Sequence, residues 1–450
     1  MRLIKSRKDI LNGNIAQQIL IISIPIIGSY LLQQLYQFVD SIVLGRYAGV
    51  EALAAVGGSA SMVNNIILNI ASGIATGVMI VVAQNYGVGN SDKVKNAVRT
   101  GIFIAFVFGG FITVLSISLA KPILLLMKCP SDTLLYSQIY MSWNFVGLIP
   151  YTIFQIGDRV LQASGNSRRS LFFTIVIAIT KISLDFILVG LFKMGVFGVS
   201  IATFVSYLVC GIIVLVIFNR SIDSYHFEIK DFGFDLESLK SIFKIGVPIA
   251  IQSAIFALTN ALVSVKINEQ GTNSIAAFSI YNTIDNFYWC FNNGLGAAII
   301  TIVGQNYGNH NMKRVKESLK YGVIIQLFVT IAISTTLFFF GRDISSFLTS
   351  NVDVLDKSTS MIKVTALCYV FFILVEMISG TIKGCGDSVA SMIISFIGIC
   401  VVRFVYVLLF DFTNATQVIL CYPISWVITS IIYLLYFLIN KKYRTPKNNL

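Results

Sequence analysis

Charge is what this chain has least of. Lysine, arginine, aspartate and glutamate together make up 12% of its 450 residues, where a soluble domain carries about 25%. So few charges cannot cover a water-soluble fold of this size, and that class is excluded. Histidine occurs only twice, as His226 and His310, far apart and in polar connecting segments. A histidine-based metal site or nucleophile–base pair inside the apolar part is therefore excluded, and with it an intramembrane enzyme. No metal and no cofactor are expected. The seven cysteines (Cys129, Cys210, Cys290, Cys368, Cys385, Cys400 and Cys421) are odd in number and form no CxxC pair. They read as small apolar residues rather than as a disulfide framework. Acidic residues are fewer than basic ones, 21 against 33, for a net charge of +12. The basic residues are scattered over short segments and form no massed patch, so a nucleic-acid partner is not expected.

What is present is apolar surface. Residues of the AVILMFWYC set make up 56% of the chain, and the mean hydropathy is +0.80. A helix needs about 20 apolar residues to cross roughly 30 Å of hydrocarbon. Twelve such runs are readable, at 15–41, 53–83, 98–120, 138–160, 170–192, 195–218, 242–267, 275–303, 319–340, 361–382, 388–410 and 416–439. They must be helices, since each backbone group in lipid has to pair within its own segment. The expected fold is an all-α integral membrane protein with the lipid bilayer as its solvent. The first run is longer than the core of a signal peptide. Of the 33 basic residues, 23 fall in the connections and span ends on the side of the two termini and 8 on the other; Lys181 and Arg403 lie deep within spans. The positive-inside rule then places both termini in the cytoplasm of a multi-pass protein of the cell membrane.

The chain repeats itself. AQNYG at 83–87 returns as GQNYG at 304–308, an offset of 221. Val94-Lys95 matches Val315-Lys316, Gly101 matches Gly322, and Gly165-Asn166-Ser167 matches Gly386-Asp387-Ser388 in the same register. Pro25 matches Pro248 at offset 223. Each half holds six spans, so the halves are expected to be parallel repeats related by a pseudo-two-fold axis along the membrane normal. The expected division is an N-terminal lobe over 1–218, a polar cytoplasmic linker over 219–241 and a C-terminal lobe over 242–450. Two such lobes suit alternating access to a central site.

Charges inside apolar spans are expensive and read as functional by default. On the first helix Gln33, Tyr36 and Gln37 share a face with Asp40, above a kink-prone Pro25. On the fifth, Lys181 and Asp185 can pair at i, i+4, and Thr203 on the sixth can bring a hydroxyl to them. Beside that ammonium Asp185 is expected to stay ionised, leaving Asp40 to take and release a proton. In the second half Asn282, Asp285 and Asn286 form a stripe expected to face a polar cavity rather than lipid, and Glu376 and Arg403 are candidates to meet. Gly73, Gly77, Gly294 and Gly296 are read as sites of close helix packing. Gln33, Tyr36, Gln37, Asn282, Asp285, Glu376 and Arg403 form the candidate set for substrate.

With these residues the chain resembles the multidrug and toxic compound extrusion (MATE) family. The likeness spans nearly the whole chain and rests on the paired QNYG segments and the Gly-Asn-Ser and Gly-Asp-Ser turns. It is similar to the bacterial branch whose coupling acids lie in the N-terminal lobe. Pro25 and Asp40 of the first helix, Asp185 in ISLDFIL and Thr203 eighteen residues on match that branch. The resemblance implies a V-shaped transporter that exports small organic solutes, often cationic and amphipathic, in exchange for H⁺ or Na⁺, with Pro25 as hinge and a monomer as working unit. One residue departs: Lys181 stands where the family often has asparagine. An ammonium cannot ligate Na⁺, so H⁺ is the expected coupling ion. A flippase for lipid-linked precursors, from the same wider superfamily, is the alternative.

Overall fold

A computed structural model describes residues 6–49, 56, 58–127, 129–130, 133–221 and 223–444. Arg2, Lys5, Lys128 and Lys447, all among the 33 basic residues, lie outside these. All regular structure among the described residues is helical. After a short leading helix, Ser6–Asn12, the spans are α1 Ile15–Tyr47, α2 Ser59–Val88, α3 Ser91–Leu126, α4 Leu134–Val146 with Leu148–Ala163, α5 Ser167–Asp185 and α6 Gly195–Asn219. The second half follows with α7 Leu236–Asn268, α8 Thr272–Gly308, α9 Met312–Ser346, α10 Val352–Gly384, α11 Ser388–Ser395 and α12 Ala415–Ile419 with Cys421–Ile439. Eleven of the described helices are long and apolar enough to span. The twelfth, α4, is interrupted at Gly147. A π-helical turn, Phe186–Leu191, continues α5, and another, Phe396–Val401, extends α11 into a last helical stretch, Val402–Leu409.

The repeat is visible in local geometry. The turns after α4 and α10 both place a glycine at positive φ, Gly165 at 83° and Gly386 at 81°, where a side chain is strained. After α2 the left-handed residue is Gly89, and its counterpart after α8 is His310 at 56°. Asn90 and Asn311, the next residues, cap the helices that follow, accepting from the backbone N–H of Lys93 and Arg314.

The chain forms two compact units, Gly28–Ala250 in one and Lys8–Ile27 with Ile251–Leu450 in the other. Each cut falls inside a first helix, three residues past its proline, Pro25 in α1 and Pro248 in α7. Each unit thus contains the N-terminal end of the first helix from the opposite sequence half. In the first unit α2 crosses the start of α7 in backbone contact. A Cβ on Gly73 would come within 2.5 Å of Ala250 Cα, and one on Gly77 within 2.6 Å of Gly246 Cα. In the second unit Gly294 meets Ile27 at the equivalent place, where an added Cβ would come within 3.1 Å of the Ile27 backbone nitrogen. There Arg314 holds the leading residues, donating to the carbonyls of Ile10 (3.0 Å) and Gly13 (2.8 Å). Small residues permit such approach where packing, not hydrophobic collapse, associates helices. Gly77→Leu sets a side chain against backbone that cannot move aside, and overpacking of this kind costs about 1–3 kcal/mol or more. The variant should lose several degrees of thermal midpoint or the monodisperse peak in detergent gel filtration; an unchanged profile would contradict this packing.

The linker is tied to the first unit and is shorter than expected. Helix α7 begins at Leu236, six residues before 242, because Asp235 accepts from the N–H of Ser238 and caps it. Lys93 pairs with Glu237 and Lys95 with Asp231, while Phe103 packs on Phe232 and Phe234. Within the linker, hydrogen bonds from Lys230 and His226 lower Glu228 to about 2.

Candidate functional sites in the two units

In the first unit α1, α5 and α6 bring Asp40, Lys181, Asp185 and Thr203 together. One helical turn along α5 sets Lys181 3.3 Å from Asp185. The same ammonium lies 2.9 Å from Asp40 Oδ2 and donates to Thr203 Oγ1 at 3.0 Å. Its three N–H groups therefore have three partners. The Thr203 hydroxyl in turn donates a hydrogen bond to the carbonyl of Val199. Lys181 and Asp185 are buried, and the Asp40 side chain is 17% exposed. The sequence paired Lys181 with Asp185 alone; in the structure it is shared, and nearer to Asp40. What distinguishes the two acids is access. Two carboxylates against one ammonium leave one negative charge, and Oδ1 of each acid has no hydrogen-bond donor among the described residues. The site has capacity for one more positive charge.

Of the polar face below Asp40, Tyr36 is buried and bonded to Tyr207. Gln33 is half-buried and Gln37 exposed, and neither side chain bonds another group among the described residues. Sequence reasoning missed a polar chain along α4. Gln155 donates to Tyr151 (2.6 Å), Arg159 to Tyr30 (3.2 Å) and to Gln162 (3.0 Å), and Gln162 and Ser170 both donate to Asp158. The signal was available: Asp158 and Arg159 fall within the apolar run 138–160.

In the second unit Asp285 turns into its own unit, where Trp289 Nε1 donates at 2.6 Å and the Tyr369 hydroxyl also donates. Around it pack Tyr288 stacked on Tyr369 at 3.8 Å, and Phe372 and Trp426 against Trp289. Asn282, half-buried, makes no side-chain hydrogen bond among the described residues. The expected Glu376–Arg403 contact is not formed. Glu376 on α10 occupies the space left by the missing side chain of Gly296, beside Asn292 of α8. Gly296 thus makes room for a carboxylate rather than for a helix backbone. Arg403 points the other way, donating from Nε to Ser425 (3.0 Å) and from Nη1 to Asn260 (2.9 Å), its guanidinium 4.3 Å above the Tyr422 ring. The two residues sit on neighbouring helices but face different partners.

A twice-six-helix chain with an ion cluster buried in its first unit and separately held charges buried in its second is built as a membrane transporter. The family model described as MatE matches twice, over residues 25–187 and 248–409, which recovers the duplication. The chain belongs to the MATE family, whose members are transporters and not enzymes. It is similar to "Probable multidrug resistance protein YoeA" of Bacillus subtilis (strain 168), 24% identical over 84% of this chain and 82% of that one. It is also similar to "Probable multidrug resistance protein NorM" of Thermotoga maritima, 25% identical over 86% and 84%. Among solved structures, an outward-facing multidrug resistance MATE family transporter of the MOP superfamily superposes with a TM-score of 0.91 over 99% of both chains, at 20% identity.

Proposed function

We propose that this protein exports small organic compounds, cationic or amphipathic, from the cell by exchange for protons. The observation that carries this reading is the buried Asp40–Lys181–Asp185 cluster, one proton short of neutrality. The names of the Bacillus and Thermotoga relatives support efflux of multiple compounds. Lys181 already fills the position between the carboxylates, and a second metal-like charge there would be repelled; a proton, which needs only one orphaned carboxylate oxygen, is accommodated. This favours H⁺ over Na⁺. Loading and unloading the cluster would bias α1, which can bend at Pro25, between two states, by the difference in proton affinity between them. Gln33, Tyr36 and Gln37 in the first unit, and Asn282, Asp285, Glu376 and Arg403 in the second, are the groups offered to substrate. The protein works as a monomer in the cell membrane with both termini cytoplasmic.

The test is transport of a cationic dye in proteoliposomes under separately imposed gradients. A proton gradient without sodium is expected to drive uptake into acid-loaded vesicles. Transport driven only by a sodium gradient would refute proton coupling. Scrambling of a lipid-linked sugar with no dye transport would favour the flippase reading.

A further inference from the structure

The two units carry a cation at matching places and treat it differently. Lys181 in the fifth helix reaches a first-helix carboxylate, Asp40, and a sixth-helix hydroxyl, Thr203, with Asp185 as a second carboxylate one turn away. Arg403, in the fifth span of the second half, reaches the first helix of that half at Asn260 and its last at the Ser425 hydroxyl. The hydroxyl is retained, but an amide stands in place of the carboxylate. No ion pair involves Arg403 among the described residues. Asp285, an acid of the same unit that feels the charge of Arg403, has one oxygen taken by Tyr369 and the other by Trp289.

Arg403 is 95% buried, being 5% exposed. A guanidinium offers five N–H groups on three nitrogens and cannot shed its charge. Nε and Nη1 are used; Nη2 has no hydrogen-bond partner among the described residues. A buried charge without a counter-ion is costly, more so at membrane depth. Access exists beside it. On α7 the exposed apolar residues Ile251, Leu258 and Val265 form one stripe at seven-residue spacing, the side suited to lipid. Asn260 is also exposed, yet lies about 200° round the helix from Leu258. The residue holding Nη1 therefore opens on the face turned away from that stripe. Tyr422 covers one face of the guanidinium and leads to Trp426.

We propose that Arg403 binds an anionic group of the transported compound, a carboxylate or phosphate attached to an aromatic ring system, with Asn260 and Tyr422 completing the site. The planar fork matches either anion in two parallel hydrogen bonds, and the aromatic wall takes the ring. The substrate range then extends from cations to zwitterions and aromatic anions. This rests on the export reading above, and the test separates the two.

Full-length protein in detergent is titrated with riboflavin 5′-phosphate and, separately, with ethidium, while ethidium export is followed in proteoliposomes. Arg403→Gln should lower the ratio of riboflavin phosphate to ethidium affinity at least tenfold, and Arg403→Lys should restore part of it, since an ammonium is a point charge. Wild-type binding of riboflavin phosphate should be displaced by benzoate and not by benzylamine, a measurement that needs no folded variant. Equal loss of both affinities would make Arg403 a structural tie between helices and overturn the proposal. So would riboflavin phosphate binding that ignores benzoate, or no such binding by a protein that exports ethidium. If riboflavin phosphate binds through Arg403 but no compound is exported, the export reading fails and the anion site stands.

Discussion

Asp40→Asn is expected to abolish proton-driven export while leaving the protein folded. In the native cluster the ammonium of Lys181 is shared by two carboxylates, with one negative charge left over. The asparagine keeps the size of the side chain and a hydrogen-bond acceptor for Lys181, but removes that charge. Lys181 and Asp185 then form a closed neutral pair, and nothing remains to gain by protonation. Coupling free energies of about 1–3 kcal/mol correspond to changes of roughly 5- to 150-fold, so gradient-driven uptake should fall at least tenfold. The pH dependence of substrate binding should flatten with it. Asp185→Asn should be the more harmful to folding, because Asp185 is the acid sealed from solvent. Proteoliposome uptake as a function of imposed pH difference is the measurement. An Asp40→Asn protein that transports at the native rate with an unchanged pH profile would reduce Asp40 to an interfacial carboxylate.

Lys181→Asn is expected to turn a sodium-indifferent protein into a sodium-responsive one. Removing one partner of a buried ion pair typically costs about 3–5 kcal/mol, because the charge left behind is uncompensated. Here two carboxylates are left, together with the Thr203 hydroxyl that received the ammonium. The new carboxamide adds a carbonyl oxygen. Oxygen ligands of this kind suit a hard cation. In choline chloride the variant should unfold at a lower temperature than the native protein. Sodium chloride should return much of the loss, since a ligand that binds only the folded state stabilises by mass action. Lys181→Met, which has no oxygen to offer, should recover less. Equal thermal midpoints of Lys181→Asn in the two salts would mean that the cluster is not a cation site in disguise.

The apolar spans, the duplication and the members of the first cluster were legible because each leaves a trace along the chain. Asp40, Lys181, Asp185 and Thr203 are polar interruptions in long hydrophobic runs, and such interruptions cost too much in lipid to be accidental. Asp158 and Arg159 left the same trace but stood near the end of a run, where a boundary error of a few residues moves a charge from the membrane to a loop. Continuation of α4 to Ala163 places them inside. Partners were not legible. Periodicity tells which residues share a face of one helix, not which neighbouring helix that face meets. Glu376 and Arg403 were matched on charge, whereas the structure sends one to Gly296 and the other to Asn260. The division of α1 between Ile27 and Gly28, and of α7 between Ala250 and Ile251, was hidden for the same reason. A proline marks where such a helix can bend, not which neighbours the parts on either side of it join.

The π-helical turns of α5 and α11 bear on how two copies of one gene segment grow apart. A π turn accommodates one residue more than an α-helix of the same rise, and one residue is about 100° of rotation. In the first half the turn, Phe186–Leu191, comes after Lys181 and Asp185. In the second it comes before Arg403, at Phe396–Val401. At the general offset of 221 the counterpart of Lys181 is Val402; one inserted residue ahead of it brings Arg403 into that place. One residue inserted in each copy, at different points, would change the phase of the inward-facing side chains over part of one helix and restore it further along. Within that stretch a duplicated protein can exchange one internal chemistry for another without disturbing the helix ends, the loops or the packing on either side.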